Sequence, residues 1–324
     1  MPKRKSISFG FLTVENDTGL KAVFSTYGAG VYSLSLHGQP LILTPSDKKV
    51  YYSSDQYFGK TVGRVIGRIP SHLRIFDQDY DLLSTPEGIC LHGGEGEGLA
   101  YRDFQGTVTT EKDLIGLELS YLSPDGEAGF PGNVLIRVTY LMPRHGNELI
   151  IRHEATTDKP TIFSISNHMY WNFGDKNVDD YVLTAKASRV GTFKEGTRLI
   201  ADSKAVPDYL DFHNGRKIAE IDEGITNTKG EIDGLDHAFL LDTVEPGKAN
   251  VVLENEKFRL ECLTDYDGVN LYVDKTDSPV RFLNGDVCGR RGIAIEPQRF
   301  PLSDRIIDSG KTYHLEIRYR FIEK

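Results

Sequence analysis

NVLIRVTYL (133–141) and ELIIRHEAT (148–156) both alternate with a period of two. They are short, rich in β-branched and aromatic residues, and bounded by turn-forming residues. Side chains of a strand point alternately to its two faces, so this pattern predicts antiparallel strands. The same pattern recurs outward in GLELSYLS (116–123), LKAVFSTYG (20–28) and SISFGFLTV (6–14). Convincing amphipathic helices are scarce: one short helix is expected after Ser203 and another near 214–222. Regular short strands with turn signals between them predict an all-β chain folded as a sandwich or barrel.

No Pro- or Gly-rich linker, low-complexity tract or internal repeat divides the sequence. The polar stretch EGITNTKGEID (223–233) is expected to be a long surface loop rather than a boundary. A prior of about 150 residues per domain would suggest two domains, but all-β folds often run longer as one. Residues 1–324 are therefore read as a single domain built on a large antiparallel β-sandwich.

Composition narrows the function. Hydrophobic residues make up 39% and charged residues 26%, as in a globular chain with a real core. Lys and Arg total 38 against 47 Asp and Glu, a net charge of -9. Nucleic-acid binding needs a clustered basic face, so that class is disfavoured. Cys90, Cys262 and Cys288 stand in no CxxC arrangement, and an odd number makes no disulfide framework. Reduced thiols in a cytoplasmic protein are the expectation. MPKRKSISFGF at the start is basic, but no long apolar stretch follows, and nothing approaches the ~18 apolar residues of a membrane span.

Two segments imitate catalytic motifs. FGKTVG (58–63) contains Gly59-Lys60-Thr61, but a phosphate-binding loop needs a glycine at position 54, which is Ser. HGGEGEG (92–98) is Gly-rich, but Glu95 and Glu97 would repel a phosphate. It reads as a tight turn that could also carry His92 to a ligand. No HExxH is present and no histidine pair has zinc spacing, so no metal is expected.

Two strands carry better candidates. In FSISNHMYWNF (163–173), alternation puts Phe163, Ile165, Met169 and Trp171 on one face and Ser164, Ser166, His168 and Tyr170 on the other. A histidine on a polar face is often merely hydrogen-bonded, but it titrates near neutral pH and suits proton transfer. In GIAIEPQRFP (292–301), Ile293 and Ile295 face one way, and Ala294, Glu296 and Gln298 the other; Pro297 should end or edge the ladder. A carboxylate in an apolar strand is costly to bury. It is either an edge charge against aggregation or a base made more basic by burial. GLDHAFLL (234–241) places Asp236 and His237 before an apolar strand, where a turn role is the plainer alternative. GRVIGRIP (63–70) sets Arg64 and Arg68 four apart, and SPDGEAGFPGN (123–133) is a turn-rich loop.

Taken in this order, GRVIGRIP, LHGG (91–94), SPDGEAGFPGN, ISNHMYWNF, GLDHAFLL and IEPQRFP resemble the aldose 1-epimerase (galactose mutarotase) family over nearly the whole chain. The sequence departs from the family pattern at Gly67, where Asn is usual, and at Trp171, where Phe is more usual. It also lacks the usual Thr after Glu296 and the usual small acidic turn after FP. These departures bear on sugar preference rather than on the chemistry.

The resemblance implies a large antiparallel supersandwich of the galactose mutarotase type. It implies His168 as catalytic acid and Glu296 as catalytic base, with Arg68, His92 and Asp236 as sugar-hydroxyl ligands. Gln298 joins them because it shares a strand face with Glu296. The expected reaction opens a hemiacetal ring and closes it on the other face, interconverting the α and β anomers of a free aldose of the galactose or glucose type. Each group needs a pKa near the working pH, which suits a charged histidine beside a partly buried carboxylate. No group or electron leaves, so no cofactor is expected. Tyr170 or Trp171 could stack on a sugar face. The expected partner is a small sugar, with neither nucleic acid nor membrane, and the protein is a monomer or homodimer. A hexose-6-phosphate epimerase would need Arg64, Arg290, Arg291 and Arg299 to converge, because phosphate is held by charge-assisted forks. A non-catalytic sugar-binding or sensor protein would not need both His168 and Glu296.

Overall fold

The two stretches that open the sequence reading run as Val134–Pro143 and Glu148–Thr157 and pair antiparallel, with Tyr140 opposite Ile151. The structure, a computed structural model, describes residues 6–7, 10–194, 197, 199–225, 234–275, 279–300 and 305–324. The pair sits inside a ten-stranded sheet. Leu114–Ser123 and Gln105–Glu111 continue it on one side. Thr312–Glu323, Phe258–Thr264, Val251–Glu254 and Val182–Ala185 continue it on the other, every pairing antiparallel. Ser6–Ile7 and Arg216–Lys217 form its edges.

Alternation decides which face is inside. Val134, Ile136, Val138, Tyr140 and Met142 are buried, as are Leu149, Ile151 and Ala155 on the next strand and Leu315, Ile317, Tyr319 and Phe321 beyond it. The opposite face carries charge: Arg152 bonds Glu111 at 2.7 Å and Glu316 at 2.8 Å. Two further sheets cover the apolar face. One has four strands, Phe11–Glu15, Leu20–Ser25, Gly30–Leu36 and Gln39–Pro40. The other has six, in the spatial order Tyr170–Trp171, Gly292–Gln298, Gly268–Asp274, Asp236–Leu240, Arg189–Phe193, Ile200–Ala205. Leu20, Phe24, Leu271, Ile293 and Ile295 join the first sheet's inward residues in one apolar cluster. Each such side chain contributes about 1.5–3 kcal/mol by leaving water. The fold is thus the large antiparallel β-sandwich read from the sequence. Among the described residues no helix is long and apolar enough to cross a membrane.

Several local expectations are corrected. SISFGFLTV is not one strand: Ser6–Ile7 joins the ten-stranded sheet, Gly10 breaks the extended run, and Phe11–Glu15 joins the four-stranded sheet. No helix follows Ser203, which lies inside the strand Ile200–Ala205; only a 3-10 turn, Asp208–Leu210, comes after it. The helix expected near 214–222 runs instead as Ile218–Ile225, so the first residues of the stretch 223–233 are helical. Positions 226–233 of that stretch lie outside the described residues. An unforeseen helix, Lys48–Ser53, starts where Asp47 accepts the Lys49 N–H at 2.8 Å, an N-cap.

Candidate active site

Glu296 comes from a regular strand. Gly292–Gln298 is buried along its whole length. It lies between Tyr170–Trp171 and Gly268–Asp274 rather than at an edge, which removes the edge-charge reading. Ile293 and Ile295 enter the core, while Glu296 and Gln298 line a cleft on the other face. Pro297 does not end the ladder: it pairs with Val269, and Gln298 pairs with Gly268. The short neighbour reaches only Ala294 and Ile293, so Pro297 needs no N–H on that side.

His168 comes from a break. FSISNHMYWNF is not a continuous strand but two two-residue strands, Ser166–Asn167 and Tyr170–Trp171, with His168 between them. Its N–H donates to the Lys60 carbonyl at 2.9 Å, and its carbonyl accepts the Gly59 N–H at 2.8 Å. FGKTVG, the false phosphate loop, is therefore the backbone clamp on His168. Gly59 has φ +63, and a Cβ there would lie 1.9 Å from the Val31 carbonyl oxygen. The expected parity survives the break. Phe163, Ile165, Met169 and Trp171 are in the core, and His168 and Tyr170 line the cleft. Trp171 packs on Tyr319 at 4.7 Å between ring centroids and is not among the cleft's lining residues, so of these two aromatics Tyr170 is the one available to a ligand.

All six sequence candidates, Arg68, His92, His168, Asp236, Glu296 and Gln298, line this one cleft of about 340 Å³. His168 Nε2 lies 3.4 Å from Glu296 Oε1. Arg68 Nη2 reaches Asp236 Oδ2 at 2.9 Å, and Asn270 donates to Asp236 Oδ1 at 3.2 Å. His92 Nδ1 accepts the Gly67 N–H at 3.2 Å, so the proton of its neutral ring sits on Nε2. The HGG turn does both jobs foreseen for it: it is tight, with His92 at φ 50 and Gly93 at φ 84, and it packs His92 against His168 at 5.4 Å. Sequence reasoning missed Asn270, Tyr57, Tyr272 and Arg305, which also line the cleft. Asn270 and Tyr272 were findable, because they alternate with buried Val269, Leu271 and Val273 as Glu296 alternates with isoleucines. Tyr57 and Arg305 lie outside any strand and carry no such signal.

The family model for aldose 1-epimerase matches residues 11–320. The chain belongs to the aldose 1-epimerase family. It is 26% identical to an aldose 1-epimerase of Escherichia coli (strain K12), over 97% of this chain and 95% of that one. It is 28% identical to a galactose mutarotase of Homo sapiens, over 81% of this chain and 75% of that one. A GalM/aldose epimerase homologue from C. elegans superposes with a TM-score of 0.84 at 27% identity, covering 98% of this chain and 99% of that one. A galactose 1-epimerase from Lactobacillus acidophilus NCFM superposes with a TM-score of 0.85 over 99% of both chains; at 23% identity it speaks to the fold alone.

Within this family member, the arginines weighed for a phosphate do not converge. Arg64 is buried and holds the loop SPDGEAGFPGN through Ser123, Pro124 and Pro131. Arg290 bonds Asp179, Arg291 bonds Asp274, and Arg299 reaches Asp267. Among the described residues no group of three His, Cys, Asp or Glu side chains is placed to hold a metal ion.

Burial governs the electrostatics of the epimerase cleft. It pushes the Glu296 carboxyl up to about 8, reinforced by the Asp236 charge and opposed by Arg68 and Asn270. It pushes the His168 imidazole down to about 4. His168 is therefore neutral near pH 7, which corrects the charged histidine expected from sequence. Burial alone would raise Asp236, but Arg68 and Asn270 outweigh it and hold that carboxyl below its ordinary value. Among the described residues, Glu296 Oε2 and His168 Nδ1 are buried without hydrogen-bond partners. Unpaired buried polar atoms cost about 1–3 kcal/mol each, and in native proteins they concentrate at functional sites.

Proposed function

We propose that the protein is an aldose 1-epimerase acting on a free hexose of the galactose or glucose type, with Glu296 as base and His168 as acid. The family reaction is the interconversion of the α and β anomers of an aldose. The observation that carries the assignment of roles is the 3.4 Å approach of two buried titratable groups in one cleft. A sensor would need neither.

The proton balance of the pair supports the reading. Glu296 protonated beside neutral His168 holds one proton, and so does a Glu296 carboxylate beside an imidazolium. The two are tautomers. Ring opening starts from the ionic one. Glu296 takes the proton of the C1 hydroxyl, the O1–H electron pair forms the C1=O1 bond, and the C1–O5 bond breaks. The released pair on O5 takes the proton of His168. Both side chains end neutral, the state that burial favours. Discharge of the buried ion pair thus works in the direction of ring opening. Rotation about C1–C2 presents the other carbonyl face, and the reverse transfers close the ring. In the ionic tautomer, Arg68 opposes the protonation of Glu296 and so steadies its carboxylate. Proton transfer by a positioned side chain contributes typically ~10²–10⁴-fold.

Arg68, Asp236, His92 and Gln298 would hold ring hydroxyls, and Tyr170 offers a ring face beside His168. We further read the chain as one domain, because a single apolar cluster takes residues from Leu20 to Phe321. The test is polarimetry on freshly dissolved α-galactose and α-glucose. Wild type should accelerate mutarotation, and Glu296→Gln should lose most of that acceleration while keeping the circular dichroism of the fold. Full activity in Glu296→Gln would refute the assignment of the base.

A further inference from the structure

Arg305 is buried, yet it lines the sugar cleft. Among the described residues its guanidinium donates to three groups. Nε donates to the Arg299 carbonyl at 2.7 Å, Nη1 to the Ile66 carbonyl at 3.2 Å, and Nη2 to Gln298 Oε1 at 3.1 Å. One cation thus ties the end of the Glu296 strand, at Gln298 and Arg299, to the backbone at Ile66. Burial holds this guanidinium down at about 10, so it still carries its proton at neutral pH and keeps donating.

The chemistry of the contact fixes the amide. Oxygen and nitrogen of a glutamine side chain are usually assigned only from their neighbours. A guanidinium has donors and no acceptor, so the Gln298 atom facing Arg305 must be the oxygen. The same oxygen is backed by Gly67, where an added Cβ would stand 3.3 Å away. With the oxygen held there, the NH2 group is the end of Gln298 left for the cleft it lines.

We propose that Arg305 is a positioning residue for substrate recognition: it holds the Gln298 amide so that its NH2 donates to one ring hydroxyl of the sugar. That hydroxyl is read as an acceptor, and the contact makes no use of its own proton. A lysine would not serve equally, because only the rigid fork reaches two carbonyls and the amide at once. The inference rests on the sugar-epimerase reading and adds to it the polarity of one recognition contact.

Deoxy and deoxyfluoro analogues of the preferred aldose, changed at one non-anomeric position at a time, test this by polarimetric rates. Fluorine can accept a hydrogen bond but not donate one; hydrogen does neither. For wild type, one position should tolerate fluorine yet lose about tenfold or more in kcat/KM on deoxygenation, as expected for one lost hydrogen bond of about 1.4 kcal/mol. Gln298→Glu keeps an acceptor for Arg305 but has no NH2. It should abolish the fluoro-over-deoxy preference at that position and raise KM by more than kcat falls. Arg305→Met should do the same, with Arg305→Lys intermediate. If a folded Gln298→Glu keeps the wild-type analogue profile, the inference is overturned, whatever happens to Arg305→Met. If Gln298→Glu loses the preference but a folded Arg305→Met keeps it, the positioning role is overturned. Wild type that accelerates no aldose would sink the epimerase reading itself, a result distinct from either.

Discussion

Glu296 Oε1 and His168 Nε2 lie 3.4 Å apart, one side chain delivered by a regular strand and the other by the gap between two broken ones. The strand gives Glu296 a fixed depth in a buried layer. The gap frees His168 from strand geometry and leaves its position to the Gly59–Lys60 backbone. Burial then acts on both, raising one pKa and lowering the other.

The pH profile should follow from that. The active pair holds one proton, so the limbs belong to the pair as a unit. Below about 4, the value to which His168 is lowered, a second proton is added and no base remains. Above about 8, the value to which Glu296 is raised, the single proton is lost and no acid remains. A bell-shaped kcat/KM between these values is the expected outcome of mutarotation rates measured across the range. An acid limb near 6.5 would mean that His168 is not desolvated as described.

Asp236→Asn should shift the alkaline limb to lower pH. The Asp236 charge helps to raise Glu296, and Arg68, freed from its 2.9 Å partner, would act more fully on Glu296 in the lowering direction. Both changes favour the Glu296 carboxylate. KM should also rise about tenfold, the scale of one lost charge-assisted hydrogen bond. A pH–rate series on the purified variant reads both effects.

Gly59→Ala should cost more than about 2 kcal/mol in denaturant unfolding, since positive φ and backbone collision act together. The added carbon would sit 1.9 Å from the Val31 carbonyl oxygen. The Gly59 N–H also holds the His168 carbonyl. Activity per folded molecule should therefore fall as well, although Gly59 is not among the residues lining the cleft.

Trp171→Phe should be nearly silent. Among the described residues the Trp171 Nε1 is buried without a partner, so the smaller ring loses packing but also removes an unsatisfied donor. These terms are of similar size, about 1–3 kcal/mol each. Thermal melting should move little, and kcat should hold, because Trp171 faces Tyr319 in the core rather than the cleft.

What the sequence by itself determined was alternation and its consequences. The run from Val134 to Pro143 reads as a strand because its side chains follow a period of two and are rich in β-branched and aromatic residues. The faces of Glu296 and Gln298 follow from the same rule, and so would those of Asn270 and Tyr272. Parity along FSISNHMYWNF even predicted which residues enter the core, although the strand is broken, because extended residues on both sides of the gap keep the alternation. What only the tertiary structure decided was convergence and depth. Asp236 and Glu296 meet because strands distant in sequence share one sheet, and Arg68 reaches Asp236 from a separate two-stranded sheet, a matter of long-range pairing that no local pattern encodes. The helix Ile218–Ile225, the clamp at Gly59 and the contact of Arg305 with Gln298 were equally hidden. The protonation of His168 was the largest reversal: residue type suggested a charged acid, but only the surrounding layers show how much water has been removed from it, and desolvation sets the pKa.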